Sequence, residues 1–228
     1  MILKCLSTGS KANCYILKRD NGEMLILDAG LPINEIKKGI EFDVTNLKGA
    51  LVTHGHGDHV LSAEKLKQFT PVWKPYLSEY KRQRTHLGDF EVECFDVYHN
   101  ECPCREFIIT GGKEKILYAT DFEMISYDLS KVGITVMLVE LNYMSELVSD
   151  DNDHIEHLCR GHAEARTTLE LIKHNSSKLH TVLFCHMSRS GNLDRAKVEA
   201  LIPDYIPSWI KWHWCKAGET YQIDSVPF

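Results

Sequence analysis

The chain has 228 residues, of which 43% are hydrophobic and 25% charged, and its formal net charge is −6. This length suffices for one substantial core, and we expect a single domain over residues 1–228. The acidic balance argues against broad, sequence-independent binding of nucleic acid. No stretch reaches the roughly 18 to 20 apolar residues that a membrane span requires, so no membrane partner is expected.

The N-terminus has neither the basic region nor the long apolar core of a signal peptide. We therefore expect a cytoplasmic protein whose eight cysteines are reduced thiols rather than a disulfide framework. Cys102-Pro103-Cys104 has no partner pair at zinc-finger spacing, so a separate zinc site is not expected there.

Apolar runs separated by turn residues predict a chain that begins mostly with strands. In chain order, the predicted strands are 2–6, 14–18, 24–28, 49–52, 91–97, 105–110, 115–119, 134–141 and 181–185. Helices are predicted around Lys65-Leu66, over Ala163 to His174, and from Leu193 to Leu201. Because both halves run from strands into helices, the pattern predicts an α/β fold of two sheets packed face to face with helices outside.

Residues 65–84 combine cationic and aromatic side chains. Cationic side chains can bind phosphates and aromatic side chains can stack on bases, as in proteins that bind single-stranded nucleic acid. The alternative, which the pattern slightly favours, is a solvated amphipathic helix over the core.

The most informative segment is residues 54–59, which follow the short apolar run Ala50-Leu51-Val52. Its candidate ligands are His54, His56, Asp58 and His59. Neutral imidazole suits zinc, copper, iron and nickel, and a carboxylate neutralises part of the charge of the cation. Grouping these side chains without a ligand would desolvate polar atoms that have no partners. The segment therefore predicts a metal site.

Three further candidates, His99, Asp121 and His186, each follow an apolar strand. Function at the carboxyl ends of strands is the usual arrangement in α/β folds. Added to the turn at 54–59, they bring the set to five histidines and two aspartates. Such a set can hold two metal ions that share a bridging carboxylate and a bridging hydroxide.

The spacing His-x-His-x-Asp-His over 54–59, with the three strand-end residues, resembles the metallo-β-lactamase superfamily of dinuclear zinc hydrolases. This resemblance implies a four-layer αββα sandwich of two mixed sheets, with two Zn²⁺ per subunit in a site that also accepts Mn²⁺ or another divalent metal. The implied ligands are His54, His56 and His99 for one zinc, Asp58, His59 and His186 for the other, and Asp121 as the bridge. Asp28 is the implied support of the cluster from behind. An aspartate bridge makes antibiotic hydrolysis unexpected.

Two further segments, Arg160 to Ala165 and His186 to Arg189, are similar to the phosphodiesterases of the superfamily, ribonuclease Z and the WalJ/YycJ-like proteins. The segment Thr8 to Cys14 also resembles the WalJ/YycJ-like proteins. The short length and segments such as Tyr118 to Phe122 resemble compact phage-encoded members of the superfamily. Some of those members are anti-Pycsar proteins that destroy cyclic nucleotides. No protruding basic arm like that of long ribonuclease Z chains is found.

The resemblance implies that a metal-bound hydroxide attacks phosphorus while His162 protonates the leaving group. Catalytic roles are expected for His162, Asp58 and Glu140, with Glu140 orienting His162 and raising its pKa. The candidates for binding phosphate or ribose are Arg189, Asn192 and Lys11.

We expect hydrolysis of a cyclic mononucleotide to a linear nucleoside monophosphate, as a phage anti-defence enzyme in the host cytoplasm. The alternative is a 5′-to-3′ exonuclease of the WalJ/YycJ type on DNA or RNA, with residues 65–84 as its nucleic-acid track. Two more distant alternatives are a metal-stabilised binding module without activity and a thiolester hydrolase. The branch commonly dimerises, so the resemblance also implies a homodimer.

Overall fold

The computed structural model describes residues 1–149, 155–188 and 191–224. Six strands form the first sheet. They are β1 (Ile2–Ser7), β2 (Cys14–Lys18), β3 (Met24–Leu27), β4 (Leu47–Leu51), β5 (Val72–Trp73) and β13 (Thr220–Gln222), in the order β13-β1-β2-β3-β4-β5. The sheet is mixed, because β1, β2 and β3 pair antiparallel whereas β3, β4 and β5 pair parallel.

Seven strands form the second sheet. They are β6 (Arg82–Leu87), β7 (Phe90–Val97), β8 (Cys104–Gly111), β9 (Glu114–Ala119), β10 (Val136–Glu140), β11 (Thr181–Cys185) and β12 (Lys211–Trp214). Their order is β12-β11-β10-β9-β8-β7-β6. Strands β9 to β12 pair parallel, and β6 to β9 pair antiparallel. Because β7 and β9 are both antiparallel to β8, they run in the same direction as β10 and β11.

Six helices accompany the sheets in the described ranges. They are α1 (Ile33–Gly39), α2 (Gly57–Val60), α3 (Ala63–Leu66), α4 (Ile155–Gly161), α5 (Ala165–His174) and α6 (Arg195–Tyr205). Two single 3₁₀ turns cover Pro75–Leu77 and Ser145–Leu147. None of the described helices is both long and apolar enough to cross a membrane.

Alternating strand residues divide the apolar side chains into three clusters. The central cluster lies between the sheets and includes Leu17 of the first sheet and Phe107 of the second. A second cluster joins the other face of the second sheet to Leu169 of α5 and Val198 of α6. The third joins the other face of the first sheet to Ile36 of α1. The layers therefore run helix, sheet, sheet, helix, which confirms the predicted αββα sandwich.

The expectation of an amphipathic helix over residues 65–84 is wrong. That segment holds the end of α3, the short strand β5, a 3₁₀ turn and the start of β6. Strand β6 alternates exposed and more buried residues and pairs antiparallel with β7, so its pattern has the period of two of a strand. Cationic residues in strands lower the apolar signal and hide this alternation.

Helix α5 begins two residues later than expected, at Ala165. The carboxylate of Glu164 accepts hydrogen bonds from the backbone N–H groups of Arg166 and Thr167, so Glu164 is the N-cap. His162 consequently lies in the short connection between α4 and α5 rather than at the first turn of α5. This connection is what allows its side chain to turn toward the strand ends.

The turn that carries residues 54–59 packs tightly on Gly30. A Cβ built on Gly30 would lie 1.7 Å from the carbonyl oxygen of Asp58 and 2.9 Å from the backbone nitrogen of Asn13. Only a residue without a side chain fits at this crossing of three backbone segments.

Gly30→Ala is therefore expected to lower the free energy of unfolding by about 1–3 kcal/mol or more, because the backbone must shift to relieve the contact. Urea unfolding of both proteins measures the difference. Gly57→Ala is the matched control, since a Cβ there meets nothing within 4 Å. Equal unfolding midpoints for Gly30→Ala and the wild type would contradict the prediction.

Candidate metal centre

The candidate residues of the second sheet meet at one edge. His99 and Asp121 each follow two residues after the ends of β7 and β9, Glu140 is the last residue of β10, and His186 follows β11 directly. These four strands run in the same direction, so their carboxyl ends lie side by side. The turn after β4 brings residues 54–59 to the same place from the first sheet.

Three residues leave their strands in the left-handed backbone conformation. Asp28 has φ 56°, Asp121 has φ 56° and His186 has φ 48°. Residues other than glycine adopt this conformation at a cost, which the surrounding structure must offset. Each side chain belongs to the candidate site or supports it, so the strained backbone serves to aim these groups.

Three histidines form the first candidate ligand group. The Nε2 atom of His54 lies 2.9 Å from Nδ1 of His56, and Nε2 of His99 lies 3.2 Å from that same atom. His54 and His99 are buried and His56 is exposed, so the group opens to solvent on one side. Three imidazole nitrogens at such spacing can bind one cation together.

Asp58, His59 and His186 form the second candidate group. Nε2 of His59 lies 3.3 Å from Oδ2 of Asp58 and 2.9 Å from Oδ2 of Asp121. Asp121 also groups with His54 and His59, so its carboxylate stands between the two sets of ligands. The structure thus brings together all seven residues that the sequence predicts as ligands.

One ring nitrogen of each buried histidine is held by the protein. Nδ1 contacts Thr53 Oγ1 at 3.0 Å in His54, Asp28 Oδ2 at 2.7 Å in His59, the Gly161 carbonyl at 2.6 Å in His99, and Glu140 Oε1 at 2.7 Å in His186. Nε2 of His186 is buried and has no hydrogen-bond partner. An unsatisfied buried nitrogen beside two carboxylates and further imidazoles fits a bound divalent cation, whose ligands are of these types.

Asp28 lies behind this arrangement, where the resemblance placed it. Its carboxylate is fully buried and accepts hydrogen bonds from the backbone N–H of Thr53 at 2.8 Å and from the hydroxyl of Tyr118 at 2.5 Å. The carboxylate also accepts from the hydroxyl of Thr53 at 3.0 Å and contacts Nδ1 of His59 at 2.7 Å. A carboxylate in this position fixes the orientation of a ligand ring and raises its basicity.

Burial and nearby charges shift the pKa values of the histidines in different directions. Burial lowers the pKa of His54 well below its usual range and also lowers the pKa of His99. Burial lowers the pKa of His59 too, but Asp28 and Asp121 outweigh it and raise that pKa well above its usual range. His54 and His99 are therefore neutral imidazoles at neutral pH, as metal ligands must be.

His162 and Glu140 form a pair next to the ligands. Nδ1 of His162 lies 2.8 Å from Oε1 of Glu140 and 3.2 Å from Oδ1 of Asp121. Burial lowers the pKa of His162, but the charge of Glu140 and the hydrogen bonds to both carboxylates raise it overall, to about 10. The geometry thus agrees with the expectation that Glu140 orients His162 and raises its pKa.

The three candidate substrate-binding residues are less well placed. Lys11 is exposed in the loop between β1 and β2. The backbone carbonyl of Asn192 accepts a hydrogen bond from the N–H of Met144 at 2.8 Å. Arg189 lies outside the described residues. Their roles in binding phosphate or ribose stay predictions.

Two residues of the site were missed from the sequence. The ring of His157 lies 5.6 Å from that of His162 and 6.4 Å from that of His99, measured between centroids. His157 follows no predicted strand, so the strand-end pattern gives no signal for it. The amide nitrogen of Asn13 lies 2.9 Å from Nε2 of His59. Its segment resembled a family motif, but no pattern pointed to a role for this side chain.

Comparison with known proteins agrees with this geometry. Residues 7–102 match the family described as the Metallo-beta-lactamase superfamily. Exodeoxyribonuclease YycJ of Bacillus anthracis is 25% identical over 173 residues, which are 63% of each chain. YhfI of Bacillus subtilis, a metallo-beta-lactamase fold protein, superimposes with a TM-score of 0.71 at 14% identity, over 96% of this chain and 98% of that one. The short form of human tRNase Z gives a TM-score of 0.66 at 13% identity, over 99% and 100%.

The range that matches the superfamily includes the whole of the turn at 54–59. The structural likenesses extend the shared fold over nearly the full chain. The alignment with YycJ spans 63% of the length of that relative.

Asp28→Asn is expected to weaken metal binding about 10- to 100-fold, since an amide cannot accept from His59, Thr53 and Tyr118 as the carboxylate does. Competition against a chromogenic chelator measures the affinity. Asp128→Asn, at an exposed aspartate that caps its own turn, is the control. The prediction is wrong if Asp28→Asn and Asp128→Asn bind zinc equally well.

Proposed function

We propose that this chain is a metal-dependent phosphodiesterase whose preferred substrate is a cyclic mononucleotide. The observation that carries the phosphodiesterase assignment is the His162–Glu140 pair beside the two ligand groups. Hydrolysis of a phosphodiester leaves an alkoxide that needs a proton, and a protonated imidazole next to the reacting phosphorus can supply it. A site that only bound metal would not need this pair.

We assign the two ligand groups to two divalent ions, zinc being the first choice for imidazole and carboxylate donors. Such ions, when bound, would supply a water of lowered pKa and neutralise charge on the phosphate. His54, His56 and His99 would hold one ion. Asp58, His59 and His186 would hold the other, with Asp121 between them.

His162 is the proton donor in this proposal. Its Nδ1 atom is engaged by Glu140 and Asp121, so its other ring nitrogen is the one that can face a substrate. With its pKa raised to about 10, the ring carries a proton at neutral pH. The side chain is 14% exposed, which leaves it accessible from the open side of the centre.

Glu140 keeps this donor in place. Its carboxylate is fully buried and one oxygen contacts Nδ1 of His162 at 2.8 Å, Nδ1 of His186 at 2.7 Å and the amide of Asn142 at 2.9 Å. Burial raises the pKa of Glu140, but the two histidines outweigh it and the pKa is lowered. An ionised Glu140 therefore ties the proton donor to a candidate metal ligand.

His162→Ala is expected to reduce turnover about 10²- to 10⁴-fold on 3′,5′-cyclic nucleotides, whose leaving group is a ribose alkoxide. On bis(p-nitrophenyl) phosphate the loss is smaller, because p-nitrophenolate departs without a proton. Chromatography and absorbance, respectively, follow the two reactions. His174→Ala, at an exposed histidine of α5, is the control. Equal losses on both substrates would rule out His162 as the proton donor.

The surface supports a small substrate rather than a polymer. In residues 81–84, Lys81 forms an ion pair with Asp96 at 3.1 Å, and Arg82 and Arg84 both pair with Glu93. Cations that already have carboxylate partners release few counterions when a nucleic acid binds. The net charge of −6 points the same way.

An exonuclease is the second candidate, and the likeness to the exodeoxyribonuclease YycJ favours it. On this alternative, residues 65–84 would guide a DNA or RNA strand to the centre. The aromatic side chains of Phe69 and Tyr80 are exposed there, so stacking surfaces are present.

Replacing Lys81, Arg82 and Arg84 together by alanine separates the two candidates. We expect unchanged hydrolysis of cAMP, cGMP, cCMP and cUMP, since none of the three residues lies in the metal centre. If the chain instead shortens 5′-phosphorylated single-stranded DNA, the triple variant loses that activity, and the wild-type activity falls steeply with salt. Chromatography of the products at two ionic strengths distinguishes these results.

We further propose that removal of a cyclic nucleotide signal, as in anti-Pycsar defence evasion, is the cellular role, and that the active form is a homodimer. Expression of the chain in cells that make a cyclic nucleotide should lower its level. Light scattering at several protein concentrations tests the dimer.

A further inference from the structure

The side chain of Asn13 lies inside the second ligand group. It is fully buried, and its Nδ2 atom is 2.9 Å from Nε2 of His59 and 3.5 Å from Oδ2 of Asp58. Both contacts go to residues that we assign to one metal ion. The catalytic proposal gives Asn13 no part.

The orientation of this amide is determined by its other end. The backbone N–H of Gly9 donates to Oδ1 of Asn13 at 2.9 Å, and the hydroxyl of Tyr15 lies 3.4 Å from the same oxygen. The oxygen is therefore the acceptor that faces away from the centre. The NH₂ group donates to the Gly9 carbonyl at 3.2 Å and faces His59 and Asp58.

The backbone of Asn13 is held just as firmly. Its N–H donates to the carbonyl of Asp58 at 2.8 Å, and its carbonyl accepts from the N–H of Gly30 at 3.0 Å. The loop of residues 8–13 also touches the other ligand, since Thr8 Oγ1 accepts from the N–H of His186 at 2.9 Å. The loop is thus built onto two residues of this group.

The hydrogen-bond partner of the Asn13 amide depends on whether the single lone pair of the His59 ring is free. A histidine that binds a cation has lost one ring proton. Because Nδ1 of His59 donates to Asp28, the lone pair of that neutral ring is at Nε2. That lone pair can accept from Asn13 or bind a cation, but not both. With a cation on Nε2, the N–H of Asn13 turns to its other neighbour, the carboxylate of Asp58, whose oxygens can still accept.

We propose that Asn13 is a positioning residue for the metal ion held by Asp58, His59 and His186. Its amide donates to Asp58 and holds that carboxylate in the orientation that binds the ion. The inference rests on the proposed metal centre and is independent of which phosphodiester is the substrate. Removing the donor should weaken this ion selectively, because the group formed by His54, His56 and His99 has no contact with Asn13 in the described residues.

Stepwise zinc titration of the full chain tests the proposal. Asn13→Leu keeps the approximate volume and removes the donor, and the protein is first stripped of metal with a chelator. We expect the first equivalent to bind as in the wild type and the second to bind about 10- to 100-fold more weakly. Asn175→Leu is the matched control, because Asn175 is another buried asparagine whose amide bonds a helix carbonyl, that of Leu171.

Wild-type affinity for both equivalents in Asn13→Leu would overturn the proposal, as would an equal weakening of both. If Asn13→Leu does not fold, Asn13→Ala removes the donor without adding bulk and serves in the same titration. If the wild type binds two zinc ions but hydrolyses no phosphodiester, only the proposed activity is wrong, and the titration still decides the role of Asn13. A wild type that binds no zinc overturns both.

Discussion

A buried imidazole can present one nitrogen to a metal only if the protein occupies the other, and the whole centre depends on this constraint. In the four buried histidines of the centre, the protein holds Nδ1. The acceptors are a hydroxyl, two carboxylates and a backbone carbonyl, from Thr53, Asp28, Glu140 and Gly161. Nε2 is thereby directed inward in each ring. The candidate ligands of the second sheet meet because the strands that precede them end at the same edge.

Glu140 holds the ring of a second histidine besides that of His186. The same oxygen that orients His186 also orients His162, so one buried carboxylate aligns a candidate ligand and a candidate proton donor. A change at Glu140 would disturb both functions together. The candidate ligand and the candidate proton donor are therefore linked through a residue that has no access to solvent.

The surface near the centre is less specialised than its interior. Arg82 and Arg84, which the sequence placed in a possible nucleic-acid track, are ion-paired with Glu93, and they lie in a strand rather than in a helix. On the open side of the centre, His56 is exposed and His157 lies beside His162.

The sequence by itself determined the ligand turn, because His54, His56, Asp58 and His59 lie within six residues and no fold can separate them. It also determined most strands, whose apolar runs record burial. Short or polar elements such as β12, β13 and α4 were not predicted, because their apolar and polar residues alternate only weakly. Only the tertiary structure decided that strand ends far apart in sequence share one edge, and that Asn13, 46 residues before His59, reaches its ring. The physical reason is that periodicity reports which side of an element is buried, but not what it is buried against.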